Sequence, residues 1–288
     1  MTDPRWPATH TRSSRTPSKE PVSTPEPGAA ETAPRETAPS DPVSPVAAPA
    51  LTGLPGLDAL AQRAITLMVP GRRVILGITG SPGAGKTTLA VTLAARVTEL
   101  LASDAASPGD GASSGADQRG TAVHLPMDGY HLANATLDRL GNHDRKGAID
   151  TFDGWGFVAL LNRLLVELDH TVYAPSFDRS VDEGIAGEIA VTPDARLVIV
   201  EGNYLLVDQS PWSSVAGLLA ESWFCATSDE ERLRRLVDRH ERHGRSPEAA
   251  AEWATTVDGA NALLIEASRP RATIVVSGVD ASIIQSAR

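Results

Sequence analysis

One glycine-rich stretch constrains the fold of this chain more than any other feature of its sequence. The pattern G-x-x-x-x-G-K-[ST] is met without a mismatch by Gly80-Ser81-Pro82-Gly83-Ala84-Gly85-Lys86-Thr87. The glycines let the backbone curl so that several amide N–H groups point inward at one phosphate. An apolar run, Val74–Ile78, comes directly before it, and leucines at helical spacing follow. With both flanks satisfied, the stretch predicts a phosphate-binding loop rather than a chance glycine-rich turn.

The side chains at the end of this loop have predicted roles of their own. Lys86 reaches the β- and γ-phosphates of a nucleotide, and the Thr87 hydroxyl ligates Mg²⁺. A helix that begins near Lys86 adds its positive dipole end, and Thr88 belongs to the same predicted nucleotide site. Apart from Lys19 and Lys146, Lys86 is the only lysine in the chain, which indicates that a compact ammonium is needed there. The predicted cofactors are ATP and Mg²⁺.

The remainder of the chain alternates strand-like and helix-like segments. A strongly periodic helix is predicted around Phe157–Leu168, and long charged helical sequence runs from Asp229 to about Ser268. Alternation of this kind predicts an α/β P-loop fold, with a mostly parallel sheet flanked by helices and a helical lid. The predicted strands are Val74–Ile78, Thr121–Met127, Leu197–Val200, Trp223–Ala226 and Thr273–Val276.

Two stretches of biased composition bound the predicted domain. Residues 1–52 are rich in Pro, Ser, Thr, Ala and Glu, and cannot bury enough apolar surface to offset their chain entropy. We predict a disordered tail there and a folded P-loop domain over 53–288. Within that domain, the Ser- and Gly-rich residues 103–120 predict a flexible insert between two structured elements.

Charge and composition limit the kinds of partner that this chain is expected to bind. A net charge of −10 indicates no nucleic-acid partner, because nucleic-acid-binding surfaces are normally basic. No apolar run is long enough to span a bilayer, and the N-terminus lacks the apolar core of a secretory signal. We therefore expect a cytoplasmic location, a small-molecule substrate and no membrane partner. The sequence leaves open whether the chain forms a homodimer. The single cysteine, Cys225, lies in a strand-like run and is expected in the core.

Two acids stand at the ends of predicted strands. The second strand ends at Met127-Asp128-Gly129-Tyr130-His131, and a later one ends at Glu201-Gly202-Asn203-Tyr204. The carboxyl ends of strands in an open parallel sheet form its ligand-binding edge. Asp128 could accept the proton of an attacking hydroxyl or could cap a helix, and the sequence favours neither. Glu201 is predicted to support Mg²⁺ together with Thr87.

Arginines crowd the predicted helical lid. Helical spacing puts Arg235, Arg239 and Arg242 roughly on one face. Guanidinium groups on a closing lid could stabilise charge on the transferring phosphoryl group and exclude water. For a single arginine, a solvated helix face paired with nearby acids is the better interpretation. We nevertheless predict that at least one of Arg235, Arg239 or Arg245 contacts phosphate, with Arg239 as the catalytic candidate.

Several further residues are candidates for the acceptor side of the site. Lys146 or its neighbour Arg145 could hold an anionic substrate group, or could belong to an ordinary solvated loop. His131 could bond a substrate hydroxyl, or could serve a structural role beside Asp128. His124 is expected to be structural. Together with the residues that the family resemblance described next implies, the predicted substrate-binding residues are Tyr130, His131, Lys146, Asp150, Phe177, Arg179 and Asn203.

Five motifs together resemble the phosphoribulokinase/uridine kinase family. They are the phosphate-binding loop, Met127–His131, Asp150-Thr151-Phe152-Asp153, Pro175-Ser176-Phe177-Asp178 and Val200-Glu201-Gly202-Asn203. The resemblance covers the chain from about Leu54 onward, without the insert, and implies ATP-dependent phosphorylation of an alcohol. It also implies roles for matching residues. Asp128 resembles the catalytic base, Asp150 the acid that bonds substrate hydroxyls, and Phe177 the aromatic residue near the base of a nucleoside.

One departure from that family bears on the substrate. Uridine kinases carry a histidine a few residues after the aromatic, and 177–183 contains none. The expected acceptor is therefore a nucleoside or a sugar, with a pantothenate-like hydroxy acid as an alternative. The alternative from a different functional class is a nucleotide-binding regulator or chaperone that hydrolyses NTP slowly. A GTPase is disfavoured because the chain has no N-K-x-D motif.

Overall fold

A computed structural model of the chain describes residues 55–106 and 120–286. The predicted disordered tail, 1–52, lies outside these residues, as does most of the predicted insert. The first helix after the phosphate-binding loop runs on to Ala106, so the beginning of the predicted insert is helical. Within the described ranges, no helix has both the length and the apolar character needed to cross a bilayer.

The described residues form six α-helices, eight strands and several short 3-10 turns. In chain order the regular elements are α1 Pro55–Thr66, β1 Val74–Thr79, α2 Lys86–Ala106, β2 Thr121–Pro126, α3 Asn134–Leu140, α4 Gly154–Val166, β3 Val172–Asp178, β4 Glu183–Val191, β5 Ala195–Glu201, β6 Glu221–Ala226, α5 Asp229–Arg242, α6 Pro247–Glu266, β7 Ile274–Ser277 and β8 Ile283–Ser286. All five predicted strands are present, with bounds within a few residues of those expected.

The main sheet has the strand order β2-β5-β1-β6-β7-β8. Every pairing from β2 to β7 is parallel, and only the edge strand β8 runs antiparallel to its neighbour. The predicted α/β fold with a mostly parallel sheet is therefore confirmed. The carboxyl ends of β1, β2 and β5 meet at one edge, which brings the phosphate-binding loop, Asp128 and Glu201 to the same side of the sheet.

The core lies on both faces of this sheet. On β5, Val198 and Val200 pack into one cluster with α4, while Leu197 and Ile199 pack into another with α1 and α2. All four side chains are fully buried, as expected for a continuous apolar run in a parallel strand. Cys225 is also buried in the core, as predicted.

Four elements are not evident in the sequence. Helix α1 and strand β8 flank the predicted core, and β3 and β4 form a separate antiparallel hairpin. Most of β4 is exposed, so its residues lack the apolar alternation by which a strand is recognised. The predicted helical lid is also divided. Helix α5 ends at Arg242, and α6 begins at Pro247, a residue that fits only the first turn of a helix.

A close backbone approach at Gly278 ties the far edge of the sheet to the phosphate-binding loop. A Cβ at this position would lie 1.7 Å from the Ala84 carbonyl oxygen, so the loop backbone must shift to admit it. We expect Gly278→Ala to lower the free energy of unfolding by about 1 to 3 kcal/mol, measured by urea denaturation. Gly217→Ala is the matched control, because a Cβ there meets nothing within 4 Å. An unchanged stability in Gly278→Ala would contradict this packing.

Candidate active site

The phosphate-binding loop links β1 to α2 and presents its backbone to a cleft. Gly80 adopts a φ of 145°, and a Cβ there would lie 2.3 Å from the Cys225 carbonyl oxygen, so only glycine fits. The side chains of Ser81 and Ala84 are buried and point into the protein. The Ser81 hydroxyl donates a hydrogen bond to Glu266 Oε1 at 2.6 Å. At these two positions only the backbone is available to a phosphate.

The loop opens onto a cleft of about 1040 Å³. Most of the residues predicted from the sequence line it, although they come from distant parts of the chain. Those that do so are Pro82, Gly83, Gly85, Lys86, Thr87, Thr88, Asp128, His131, Lys146, Phe177, Arg179, Glu201, Asn203, Arg235, Arg239 and Arg245. One cavity is therefore lined by most of the predicted nucleotide-binding residues and most of the predicted acceptor residues.

Lys86 begins helix α2 and is largely buried beneath the loop. Its Nζ donates to the Ser81 carbonyl oxygen at 3.1 Å. Burial lowers the pKa of this ammonium, while the negative charges of Glu201 and Asp128 oppose that effect. Lys86 is therefore in electrostatic contact with both Glu201 and Asp128. A terminal phosphate could replace the Ser81 carbonyl as its partner.

Thr87 and Glu201 form a pair of oxygen groups next to Lys86. The Thr87 hydroxyl donates to Glu201 Oε1 at 2.9 Å, and Glu201 is only 4 % exposed. His124, on the neighbouring strand β2, lies with Nε2 3.8 Å from the same carboxylate oxygen. This nitrogen is buried and has no hydrogen-bond partner among the described residues. Hydroxyl and carboxylate oxygens beside an unsatisfied polar atom fit a hydrated Mg²⁺.

Asp128 lies in the 3-10 turn Met127–Tyr130, directly after β2. The residue at the N-cap of this turn is Pro126, and no side chain caps it, so the helix-capping alternative for Asp128 is wrong. Its carboxylate instead accepts a hydrogen bond from Arg179 Nη2 at 2.9 Å. Burial alone would raise the pKa of Asp128, but the positive charges around it, among them those of Arg179 and Lys86, outweigh burial and lower it. Asp128 is therefore ionised at neutral pH.

His131 lies beside Asp128 and faces the same cleft. Its Nδ1 is 2.7 Å from the Asp128 carbonyl oxygen, and its ring stacks on Phe152 and Phe177 with centroid distances of 4.0 and 4.6 Å. Because a carbonyl oxygen only accepts, Nδ1 carries a proton. Burial lowers the pKa of this imidazole, which favours the neutral form. Its Nε2 is then left as an acceptor for a hydroxyl group.

Lys146 holds two acceptor-side segments together. Its Nζ donates to Asn134 Oδ1 at 2.6 Å, to Asp182 Oδ2 at 3.0 Å and to the Asp182 carbonyl oxygen. These three contacts use all three ammonium donors. Lys146 therefore ties the turn of the β3–β4 hairpin to the loop before α4, and it has no donor left for a substrate anion in this arrangement.

Two predicted substrate residues lie outside the cleft. Tyr130 packs edge-on against Phe157 at a centroid distance of 5.3 Å, and burial raises its pKa to about 12. Asp150 is exposed and pairs with Arg145 at 3.1 Å. The turn that carries Asp150 directs its neighbour Phe152 toward the cleft instead. Tyr130 and Asp150 therefore do not line the cleft in this structure, and their roles in binding the acceptor stay predictions.

The lid arginines reach the cleft from α5 and from the loop that follows it. Arg235 Nη1 donates to the Gly278 carbonyl at 3.3 Å, and its Nε donates to Glu231 Oε1 at 2.7 Å. The guanidinium of Arg245 lies 3.9 Å above the Trp253 ring. For Arg239, burial lowers the pKa of the guanidinium, while the charge of Asp258 opposes this effect. All three remain candidates for contact with phosphate.

Other cleft residues were not anticipated from the sequence. Phe152, His240, Asp258 and Asn261 all line the cavity. His240, Asp258 and Asn261 come from the two lid helices, where no periodic pattern marks them as site residues. Their partners lie far away in sequence, so spacing alone gives no signal for them.

Comparisons with known proteins give this site a context. The chain is 42 % identical over 132 residues to the ATP-dependent kinase-like protein notR' of Aspergillus versicolor, covering 43 % of this chain and 77 % of that protein. It is 32 % identical over 187 residues to a provisionally named uridine kinase of Schizosaccharomyces pombe, covering 64 % and 73 % respectively. No model of a protein family matches the chain.

A solved structure extends the likeness to three dimensions. A kinase from Silicibacter sp. TM1040, provisionally assigned to a fructose transport system, superimposes with a TM-score of 0.64 at 36 % identity. The match covers 74 % of this chain and 95 % of that protein. The likeness therefore includes both the sheet with its phosphate-binding loop and most of the other described elements.

Proposed function

We propose a reaction for this chain from the premise that it belongs to the P-loop ATP-dependent kinases of the uridine kinase-like family. Such an enzyme is a phosphotransferase with an alcohol group as acceptor and a small molecule as substrate. The proposed reaction moves the γ-phosphoryl group of MgATP to a hydroxyl of a sugar or a nucleoside, with Asp128 as general base.

One observation carries this proposal. The Asp128 carboxylate and the Lys86 ammonium line the same cleft and lie within electrostatic reach of each other. A phosphoryl group held by Lys86 and the loop amides would face an acceptor hydroxyl held by Asp128. This arrangement is what in-line transfer requires, because attacking and leaving oxygens must stand on opposite sides of the phosphorus.

The proposed chemical step uses this chain's own residues as follows. The acceptor oxygen forms a bond to the γ-phosphorus, the bond from that phosphorus to the β–γ bridging oxygen breaks, and ADP is the leaving group. Asp128 takes the hydroxyl proton, and His131 Nε2 is placed to accept a hydrogen bond from a neighbouring hydroxyl. Lys86 and Arg239 offset the charge spread over the phosphoryl oxygens.

Mg²⁺ fits this proposal at Thr87 and Glu201. Their two oxygens are adjacent, and the unpartnered His124 nitrogen beside them could accept a hydrogen bond from a water ligand of the ion. When bound, the ion would supply positive charge that offsets the negative charge of the nucleotide phosphates. Thr87 and Glu201 would fix where that charge sits.

The surroundings of Phe177 favour a sugar as acceptor over a nucleoside. The His131 ring stacks on Phe177, while the Lys146 ammonium lies 5.2 Å and the Arg179 guanidinium 5.9 Å from its ring centroid. With three neighbours already around the ring, little of its surface is free to stack on a nucleobase. The relative assigned to a fructose transport system agrees with a compact polyol.

A coupled assay of ADP release over a panel of sugars, nucleosides and hydroxy acids tests the proposal. We expect at least one compact sugar to raise ADP release by about tenfold or more over ATP alone, with stoichiometric phosphorylated product. A nucleoside as the best acceptor would overturn the preference for a sugar but keep the kinase. Hydrolysis stimulated only by a protein partner would overturn the proposal in favour of a regulatory switch.

A further inference from the structure

Helix α6 contacts both halves of the cleft through two residues of its buried side. Asp258 and Asn261 are three residues apart, so they lie on one face of the helix, and both line the cavity. Asp258 faces the arginine helix α5, whereas Asn261 faces the loop that precedes α4. The proposed reaction uses neither side chain.

Asp258 makes its contacts on the nucleotide side of the cleft, with residues of α5. Its side chain is largely buried and accepts a hydrogen bond from His240 Nε2 at 2.8 Å through Oδ2. Its Oδ1 lies 3.9 Å from Arg239 Nη2. A buried carboxylate with two partners on one neighbouring helix fixes the distance between α5 and α6. It thereby fixes the position of Arg239, whose guanidinium is in electrostatic contact with Asp128.

Asn261 makes its contact on the acceptor side of the cleft, with the loop before α4. Its Nδ2 donates to the Gly147 carbonyl oxygen at 3.3 Å, and the Tyr204 hydroxyl donates to the same oxygen at 2.6 Å. Gly147 directly follows Lys146, which ties the hairpin turn at Asp182 to this loop. A continuous series of contacts thus runs from α6 through residues 146–147 to the hairpin that carries Phe177 and Arg179.

We infer that Asp258 and Asn261 are positioning residues that couple the nucleotide side of the cleft to the acceptor side through α6. The inference rests on the proposed function, because it requires that nucleotide phosphates draw Arg239 toward the loop. Movement of Arg239 moves α6 through Asp258, and α6 tightens the long Asn261 hydrogen bond to Gly147. By linkage, an ordered acceptor side also favours retention of the nucleotide.

Hydrogen–deuterium exchange of the full chain, with and without Mg·AMP-PNP, tests this coupling without an acceptor. In the unmodified protein, we expect the nucleotide to slow exchange both in 80–88 and in 142–148, the latter by about fivefold or more. In Asn261→Ala, the loop 80–88 keeps its protection, while the response of 142–148 is lost. Asn162→Ala is the matched control, because this asparagine is exposed on α4 and bonds only within its own helix.

The outcomes are distinguishable. Retention of the 142–148 response in Asn261→Ala overturns the inference, as does its absence in the unmodified protein when 80–88 is protected. Absence of protection at 80–88 in the unmodified protein overturns the proposed function instead. Asn261→Asp is the second variant, since it keeps the side-chain shape but removes the donor. It is expected to lose the response as Asn261→Ala does, and normal coupling in a folded Asn261→Asp would equally contradict the inference.

Discussion

We expect replacement of Lys86 by alanine to lower kcat for phosphoryl transfer by at least about 100-fold, because the transferring group would lose the positive charge of this ammonium. Lys86 is largely buried, and its ammonium lies within reach of both Glu201 and Asp128. Coupled ADP release in the presence of the acceptor measures the loss.

Two further variants define the role of Lys86. Lys86→Arg keeps the charge but replaces a compact ammonium with a planar fork, and we expect most of the loss to persist in this buried position. Arg139→Ala removes a cation whose contact lies within its own exposed helix, and is expected to match the unmodified protein. Activity of Lys86→Ala within tenfold of the unmodified enzyme would contradict the assignment.

Asp128→Asn is expected to lower kcat by about 100- to 10,000-fold while leaving nucleotide affinity almost unchanged. The amide keeps the shape of the side chain and can still accept a hydrogen bond from Arg179, but it cannot take a proton from the acceptor. The pKa of Asp128 lies below its ordinary value, so the unmodified base is ready at neutral pH. Titration with a fluorescent ATP analogue and single-turnover transfer separate binding from chemistry.

The control for this variant is an acid with no place in the cleft. Asp169→Asn alters an exposed carboxylate that pairs with His170, and we expect unchanged turnover. If Asp128→Asn transferred phosphate at the normal rate, Asp128 would not be the base. If it lost nucleotide binding as well as turnover, its role would lie in organising the cleft rather than in proton transfer.

The parts of the fold that could be predicted are those encoded by local patterns. The phosphate-binding loop follows from its glycine spacing, and the central strands follow from apolar runs such as Leu197–Val200. The ends of those strands place Asp128 and Glu201 at one edge for topological reasons alone. The β3–β4 hairpin escaped prediction because β4 is mostly exposed and carries no apolar alternation.

Side-chain direction is the main feature that the sequence could not supply. Asp150 and Phe152 belong to one motif, yet a short 3-10 turn leaves the acid in solvent and directs the aromatic ring to the cleft. Tyr130 follows Asp128 by two residues but turns into the core. A resemblance of motifs locates a segment, whereas tertiary packing decides which of its side chains meets the ligand.

Long-range partners are the second such feature. Gly147 receives hydrogen bonds from Tyr204 and Asn261, which lie far away along the chain. Neither residue looks unusual in its own segment, and Asn261 lies on a helix, where a polar side chain is usually solvated. Their roles become visible only when the lid helices are packed against the acceptor loop.

The most direct test of this account is the distance from the γ-phosphorus to the nearer Asp128 carboxylate oxygen in a crystal structure with Mg·AMP-PNP. An acceptor oxygen must fit between them, close to the phosphorus on one side and hydrogen-bonded to Asp128 on the other. We predict a distance of about 5 to 7 Å, with the terminal phosphate bonded to Lys86. A distance beyond about 10 Å, or a nucleotide bound away from the Gly80–Thr87 loop, would contradict it.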